Sequence, residues 1–573
     1  MLNTLLNRWL SKTAGVGLLL SVLLTGFGGG ISTTVYAAGP PIEDVQAVIK
    51  ARLDSGKKTH VISCQGELIC GVEMLPWAYR KRNYRPVWMD ESLGLERAHA
   101  MARAVDHIGE DGLAASDYHL DAIRALLTEA REQSSSTEPN LATTELWADL
   151  DLLLTDAFLM IGSHLAGGRV NPETLHTDWK ITPGVINLLA PLDRAAASGD
   201  IDTALGAFRP SHNGYAALRG ELARLRSRYA VGGWPQLDER QTLGQGDRHH
   251  LVGELRRRLA SDDEVEPVLP GSDPLVLDAN LASAVRRFQQ RNGLKADGVV
   301  GRETFEALNT PVQRRIRQVE LNLERWRWLP HDLGNRYIIV NTADFNLRGV
   351  ENGRTVQHMR VVVGRPARRS PVFSASMTYL VINPYWNVPR TIAVEDVLPK
   401  IQEDLSYLYR QGIHVFENWD LDAPELDPTT VDWQAYHANR FPFRLRQDPG
   451  PSNALGHLKF MFPNRFAVYL HDSPDRSLFN RIQRDFSSGC IRMEKPAELA
   501  HFVLLDDPQW TPEALSERIE KGETHTIWLK HPMPVHLVYM TAWVDETGAL
   551  QFRHDIYDRD QELNRALERR RPA

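Results

Sequence analysis

Apolar positions along the chain change period twice, and the changes divide it into parts. From about residue 43 to 240 they recur at spacings of three and four. Leu150, Leu153, Leu154, Ala157, Phe158 and Ile161 are the clearest run, and that spacing lays them on one helical face. Segments 95–108, 119–131 and 214–228 repeat the pattern, with Asp111-Gly112 and Gly167-Gly168 as turns and a polar loop at 134–137. A helical scaffold is predicted, with no catalytic constellation in it. Residues 241–312 read as a three-helix unit. Leu251, Leu255 and Leu259 mark the first helix, Leu281, Val285 and Phe288 the second, and Thr304, Phe305 and Leu308 the third. Gly293 is placed to end the second helix, and Asp297-Gly298 to make a tight turn. An amphipathic linker helix with Ile316, Val319, Leu323 and Trp326 follows, within 313–335.

From residue 336 the period becomes two. RYIIVNTADFNLRGVENGRTVQHMRVVVG holds β-branched runs divided by Asn-Gly, the mark of antiparallel strands, and 372–384 and 458–470 continue it. Helical, polar and proline-rich sequence at about 395–455 interrupts these strands and reads as an inserted subdomain, of the kind that forms lids. A β-rich domain at 336–535 is expected, then a hairpin and a charged, solvated tail at 536–573. The predicted fold class is a multidomain α+β protein.

Composition narrows the class. The chain has 573 residues, 42% hydrophobic and 24% charged, which excludes a disordered chain, a collagen-like chain and a small disulfide scaffold. At about 150 residues per domain this length suggests several domains. A net charge of −7 gives no positive excess for general nucleic-acid binding, so acidic substrates would need local Arg and Lys clusters. Arg8 and Lys12 precede an apolar run at 16–27, a glycine-rich stretch and Val35-Tyr36-Ala37. Residues 1–37 therefore have the layout of a secretory signal, with an uncleaved membrane anchor as the alternative. The run is shorter than the ~20 residues of a spanning helix. No later segment reads as long and apolar enough to span.

Export gives the cysteines meaning. Cys64 and Cys70 are the natural disulfide pair of an oxidising compartment, and Cys490 is left over. A zinc site on His60, Cys64 and Cys70 lacks an evident fourth ligand, so no metal is expected, and no cofactor. Cys490 follows Ser487-Ser488-Gly489, nineteen residues after His471 closes a strand in VYLHDSPDRSLFNRIQRDFSSGCIRM. A thiol needs a base or a cationic neighbour to react near neutral pH, and an imidazole can be that partner. Gly489 permits an open turn in which backbone N–H groups converge on one oxygen. Spacing alone leaves open which of the twenty histidines partners Cys490.

The motif HDxxxRSLFNxxxRxFSSGCIRM resembles the catalytic motif of L,D-transpeptidases of the YkuD family, and INPYWNVPRTIA and NALGHLKFMFPN extend the resemblance. AVRRFQQRNGLKADGVVGRETFEALN resembles the peptidoglycan-binding domain type 1. The whole layout is similar to the large YcbB-type enzymes of Gram-negative envelopes. One departure is Ser488, where the commoner family signature has a histidine; the YcbB-type subgroup shares the serine. The resemblance implies periplasmic location and Cys490 as nucleophile. Cys490 would attack the third residue of a donor tetrapeptide stem, with His471 as proton carrier and a diaminopimelate amine as acceptor, giving 3→3 cross-links. It implies oxyanion amides from Ser488, Gly489 and Cys490, and orientation of His471 by the Asp472 carbonyl. Arg492 would hold a substrate carboxylate or brace its loop. Tyr385, Trp386 and Asn387 would wall the cleft, with core packing the plain alternative for Trp386. Residues 395–455 would cap it. Peptidoglycan stems, carbapenem inhibitors and cell-wall synthesis proteins are the implied partners. An L,D-carboxypeptidase, a lipoprotein-attaching enzyme and a non-catalytic wall-binding scaffold are the competing readings; a papain-like protease fits less, since no adjoining Asn is evident.

Overall fold

The computed structural model describes residues 40–89, 94–133, 141–180, 186–261 and 273–569. The signal-like segment 1–37 and the polar loop at 134–137 lie outside them. The helical region is organised by the helix Leu141–Gly167, which is buried nearly all round. It is apolar on most faces, and Asp151 and Thr155 within it are hydrogen-bonded in the core. Asp151 accepts the Tyr79 hydroxyl at 2.6 Å and the amide of Trp88 at 2.9 Å. This helix is long and apolar enough to cross a membrane by length and composition, which corrects the expectation that no later segment is. Packing explains its character: 78% of the apolar window is buried among the surrounding helices.

The three-helix unit forms as read, from Leu251–Ala260, Ala279–Arg291 and Arg302–Leu308 around Leu255, Leu281, Phe288 and Leu308. Gln289 fastens its turn: the buried amide donates to the Val299 carbonyl at 2.9 Å and accepts from the Gly298 N–H at 2.9 Å. The helix Val312–Arg327 then packs Val319 and Leu323 against Tyr215, Leu218 and Leu222 of the helix Asn213–Ala230. Ala542 and Phe552 of the C-terminal hairpin join the same cluster, so the linker ties the helical region to the C-terminal part of the chain.

In that domain β1 (Arg336–Asn341), β2 (Asn346–Glu351) and β3 (Arg354–Gly364) form a meander. Its hairpin is Asn352-Gly353, with φ of 50° and 75°, the left-handed pair that a two-residue turn requires. The further strands are β4 (Val372–Ile382), β5 (Trp386–Asn387), β6 (Ile413–Phe416), β7 (Arg444–Gln447), β8 (Leu458–Met461), β9 (Leu470–His471), β10 (Asp485–Ser487), β11 (Ile491–Met493) and β12 (His525–Val538). The main sheet runs β8-β9-β11-β3-β2-β1-β12-β4, and β4 pairs back onto β8, so the sheet closes like a barrel. Leu347, Val361, Leu380, Phe460, Leu470, Ile491 and Val535 fill it. Alternation along each strand sends the intervening residues to the outer face.

The insertion leaves after β4 and returns at β8, and β5 belongs to it: β5, β6 and β7 build a separate four-stranded sheet with Glu425–Leu426. It thus begins before residue 395 and contains a sheet where helix and loop were expected, because its strands are only two to four residues long. It has its own core of Val388, Ile401, Leu408, Val415 and Leu445. At the other end, β12 runs through residue 536, so the expected boundary there falls inside a barrel strand. The hairpin is Ala542–Val544 with Leu550–Phe552. The helix Arg559–Arg569 is docked rather than solvated: Arg559 is fully buried over Trp179, Tyr539 and Tyr557.

The cysteine pair is also corrected, for Cys64 and Cys70 are both free thiols. The hairpin register sets Cys64 opposite Glu67, and the Ile69 N–H donates to the Ile62 carbonyl. Cys70 therefore stands three residues further along than the position facing Cys64, about 10 Å at strand rise, beyond the ~7 Å Cα limit of a disulfide. Cys64 is buried and Cys70 exposed.

Candidate active site

Three short strands bring the site together. In the parallel pair β9–β11, Leu470 faces Ile491 and His471 faces Arg492. The amide of Ile491 donates to the Tyr469 carbonyl at 3.2 Å, which continues that register back to Tyr469 and Cys490. In the antiparallel pair β8–β9, Lys459 faces His471. Leu458, Phe460, Leu470, Ile491 and Met493 point into the barrel, so Lys459, Tyr469, His471, Cys490 and Arg492 share the outer face. Cys490 lies one strand across and two residues along from His471, about 8 Å between backbones. The side chains stand on the same face between them.

His471 is buried, and its Nδ1 lies 2.6 Å from the Asp472 carbonyl. A carbonyl only accepts, so Nδ1 carries the proton and Nε2 keeps its lone pair. Burial first, then the charges of Arg492 and Lys459, pull the imidazole down to about 3. It is a neutral base at physiological pH. Burial raises the Cys490 thiol. Hydrogen bonding to Tyr469 and the cations Lys459 and Arg492 act against that rise. The pair is thus a neutral thiol beside a neutral imidazole.

The loop before the thiol is held from several sides. Gly489 has φ of 113°, a conformation that disfavours any side chain. Its carbonyl accepts from Ser370 Oγ at 2.8 Å, and its N–H donates to Ser487 Oγ at 3.1 Å. The Gly489 amide is thereby occupied, which corrects its expected place in an oxyanion hole. The amides of Ser488 and Cys490 have no such acceptor among the described residues. Ser488 turns its hydroxyl to the Arg368 guanidinium at 2.7 Å.

The Asp472 carboxylate is structural, accepting from the amides of His457 at 3.0 Å and Ser473 at 2.7 Å and from Arg476 at 3.1 Å. Arg492 is half-buried, and its Nε is buried without a partner. Trp386 reaches the site, hydrogen-bonding the side chain of Tyr469. Tyr385 and Asn387 flank it in an extended stretch and so face away; Asn387 pairs with Arg446, whose guanidinium lies over the Tyr385 ring at 4.7 Å. The structure does not bring those two to the thiol. Lys459 and Tyr469, by contrast, belong to the site and were not singled out from sequence. Their signal was a polar residue at the outward position of an otherwise apolar strand, as in LKFM.

Among the described residues, one group has the makings of a metal site, Glu239, His249 and His250 in the three-helix region, away from these strands in sequence. The thiol and imidazole need no cofactor to exchange a proton. Together the face offers a thiol, a neutral imidazole and two cations, groups that acyl transfer would require.

Three stretches of the chain match known protein families. Residues 335–515 match the L,D-transpeptidase catalytic domain, 248–308 a peptidoglycan binding domain and 75–222 a Scaffold domain. A homologue from Haemophilus influenzae, named as an L,D-transpeptidase, is 37% identical over 270 residues, 46% of this chain and 53% of that one. The N-acetylmuramoyl-L-alanine amidase CwlM of Mycobacterium tuberculosis is 38% identical over 80 residues, 13% of this chain and 20% of its own. The crystal structure of an L,D-transpeptidase from Xylanimonas cellulosilytica aligns at 16% identity and a TM-score of 0.17, over 52% of this chain and 98% of that one. This chain therefore carries a YkuD-type L,D-transpeptidase catalytic domain. It joins that domain to a peptidoglycan-binding domain type 1 and a Scaffold domain. The chain spans about half the length of its Haemophilus relative.

Proposed function

We propose that the protein is an exported L,D-transpeptidase that forms 3→3 cross-links in peptidoglycan through a thioester on Cys490. The observation that carries this is the sheet register, which sets a thiol and an imidazole with a free Nε2 on one face of a matching catalytic domain. Cys490 attacks the carbonyl of the third residue of a tetrapeptide stem while His471 Nε2 takes the thiol proton. The amides of Ser488 and Cys490 receive the oxyanion. His471 returns the proton to the departing D-alanine amine. The side-chain amine of a diaminopimelate on a second stem then attacks the thioester and releases the sulfur. The broken peptide bond leaves its energy in the thioester, so no nucleotide is consumed.

Transfer rather than hydrolysis requires that water be excluded while the acceptor enters. The insertion is placed for this, since Trp386 of its first strand contacts Tyr469 beside the thiol. The peptidoglycan-binding domain supports a wall substrate, and the layout of residues 1–37 supports export to the periplasm. A carbapenem would acylate Cys490 by the same attack. Incubating the protein with purified tetrapeptide muropeptides and weighing the products tests the proposal. Cross-linked dimers with release of D-alanine support it; tripeptide and D-alanine without dimers would make the protein an L,D-carboxypeptidase instead.

A further inference from the structure

His471 sits between two cations. Lys459 faces it across the antiparallel pair and Arg492 across the parallel pair, so the three form one row on the outer face of adjacent strands. Neighbouring side chains in such a row lie about 5 Å apart. Lys459 is half-buried, with Nζ 4.1 Å above the Tyr469 ring, and Tyr469 in turn stacks edge-on against His471 at 5.6 Å. Tyr469 is also the residue opposite Cys490. The ammonium is thereby fixed beside both reacting groups.

Neither cation forms an ion pair among the described residues. The Arg492 Nε is buried with no acceptor. Asp475 is felt at Arg492 only through its charge, and its carboxylate accepts the Ser477 hydroxyl at 2.6 Å. The Asp472 carboxylate is committed to His457, Ser473 and Arg476. Two cations held part-way out of water without a counter-ion are expensive to maintain. A half-buried positive pair next to a nucleophile is matched by an anion that arrives with the substrate.

We propose that Lys459 and Arg492, from either side of His471, form a carboxylate-binding site beside Cys490 that selects acyl donors carrying a carboxylate close to the scissile bond. This rests on the acyl-transfer reading above and extends it to Lys459. A tetrapeptide stem offers two such groups, the terminal D-alanine carboxylate and the free carboxylate of diaminopimelate. Either would also place its carbonyl against the thiol, so binding charge at this row orients the reacting atoms.

The full chain can be tested without any stem peptide. Iodoacetate and iodoacetamide alkylate the same thiolate and differ in charge, so the ratio of their rates at Cys490, mapped by peptide mass, reports the local charge alone. Cys70, exposed and near the acids Glu67 and Asp156, is an internal reference in the same molecule. The wild-type protein is expected to favour iodoacetate at Cys490 relative to Cys70. Lys459→Gln should lower that preference about tenfold and Lys459→Arg should restore it, with Cys70 unchanged in both. A preference that does not move in Lys459→Gln overturns the proposal.

Stem peptides then identify the carboxylate. The free-acid donor should lose at least about tenfold in kcat/KM in Lys459→Gln, a difference of about 1.4 kcal/mol. The donor amidated at the recognised position, terminal or diaminopimelate, should be insensitive to the substitution. Equal losses with all donors would overturn carboxylate recognition. If alkylation shows the charge preference but the wild type processes no donor, the anion site stands and the transpeptidase reading falls.

Discussion

The Arg368 guanidinium donates to the Ser488 hydroxyl at 2.7 Å, and the same nitrogen reaches the Asp396 carboxylate at 2.5 Å. Its other nitrogen bonds Glu395. Asp396 and Glu395 stand in the first helical turns of the insertion, and Ser488 is two residues before Cys490. One side chain therefore couples the root of the cap to the loop whose amides would receive the oxyanion.

Replacing Arg368 by Met should slow acylation of Cys490 about tenfold or more through kcat, with little change in KM, because loop position rather than binding is disturbed. Asp396→Asn should show a smaller effect in the same direction, and Arg368→Lys partial rescue. Removing an oxyanion donor outright costs about 100-fold to 1,000-fold, so a positioning residue falls below that. Single-turnover kinetics by intact mass would show it, and an unchanged acylation rate in Arg368→Met would remove this coupling.

The protonation states give a pH signature. With the imidazole held down to about 3, chiefly by burial, no ionisation of His471 occurs between pH 5 and 8. The thiol is raised by burial. Iodoacetamide labelling of Cys490 should therefore climb towards alkaline pH without a step near 6.5. A step there would indicate a thiolate–imidazolium pair at rest. Stability follows the same groups. The unfolded chain takes up protons on His471, His176 and His536 at ordinary histidine values, whereas the fold holds them near 3, 4 and 4. Unfolded chains bind more protons in that window, so stability falls as pH drops from about 6.5 towards 4. His119 works in the opposite sense. Burial lowers it, but hydrogen bonds to Asp156 and Glu67 and their charges together outweigh that and raise it, so its contribution is full below 6.5 and fades as pH climbs through its folded value. Thermal melts at stepped pH would show the loss on the acid side, reduced in His536→Gln.

Glu324 should be a stability residue. It is buried, pairs with Arg327 at 2.8 Å and accepts the Val170 amide at 3.0 Å. Arg327 is itself fully buried under Tyr215. Glu324→Ala leaves that guanidinium without its carboxylate and should destabilise by about 3–5 kcal/mol. A denaturant titration showing less than about 1 kcal/mol would mean that Asp111 and Tyr215 suffice for Arg327.

Thiol counting checks the N-terminal hairpin. The protein unfolded without reductant should yield three titratable thiols, Cys64, Cys70 and Cys490, as in the structure. A count of one would show that Cys64 and Cys70 pair and that the hairpin register differs.

Sequence periodicity conveyed most of the architecture, because its signals are local. The three-helix unit, the linker helix and the Asn352-Gly353 hairpin were all legible from spacing and turn residues. The insertion's sheet was not, since strands such as Trp386–Asn387 are too short to show alternation. The docked tail was missed because Arg559 reads as surface and is buried only through Tyr539 and Tyr557. The site itself divides in the same way. Cys490 and His471 stood out by motif, but their proximity depends on a parallel pairing between strands that no local pattern announces. Lys459 was hidden because a single outward lysine in LKFM looks like any solvated strand position. The Gly489 amide was misjudged because Ser487 sits close enough to take it, a contact that only the folded loop reveals.

The central claim is that Cys490 carries the acyl group, and intact-mass spectrometry of the full chain during turnover of a tetrapeptide donor tests it most directly. The wild type should gain the mass of a tripeptide acyl group, mapped to the peptide bearing Cys490, and lose it when an acceptor stem is added. Cys490→Ala should gain nothing while melting at the same temperature. An adduct that forms on Cys490→Ala, or one that maps to Cys70, would contradict the account.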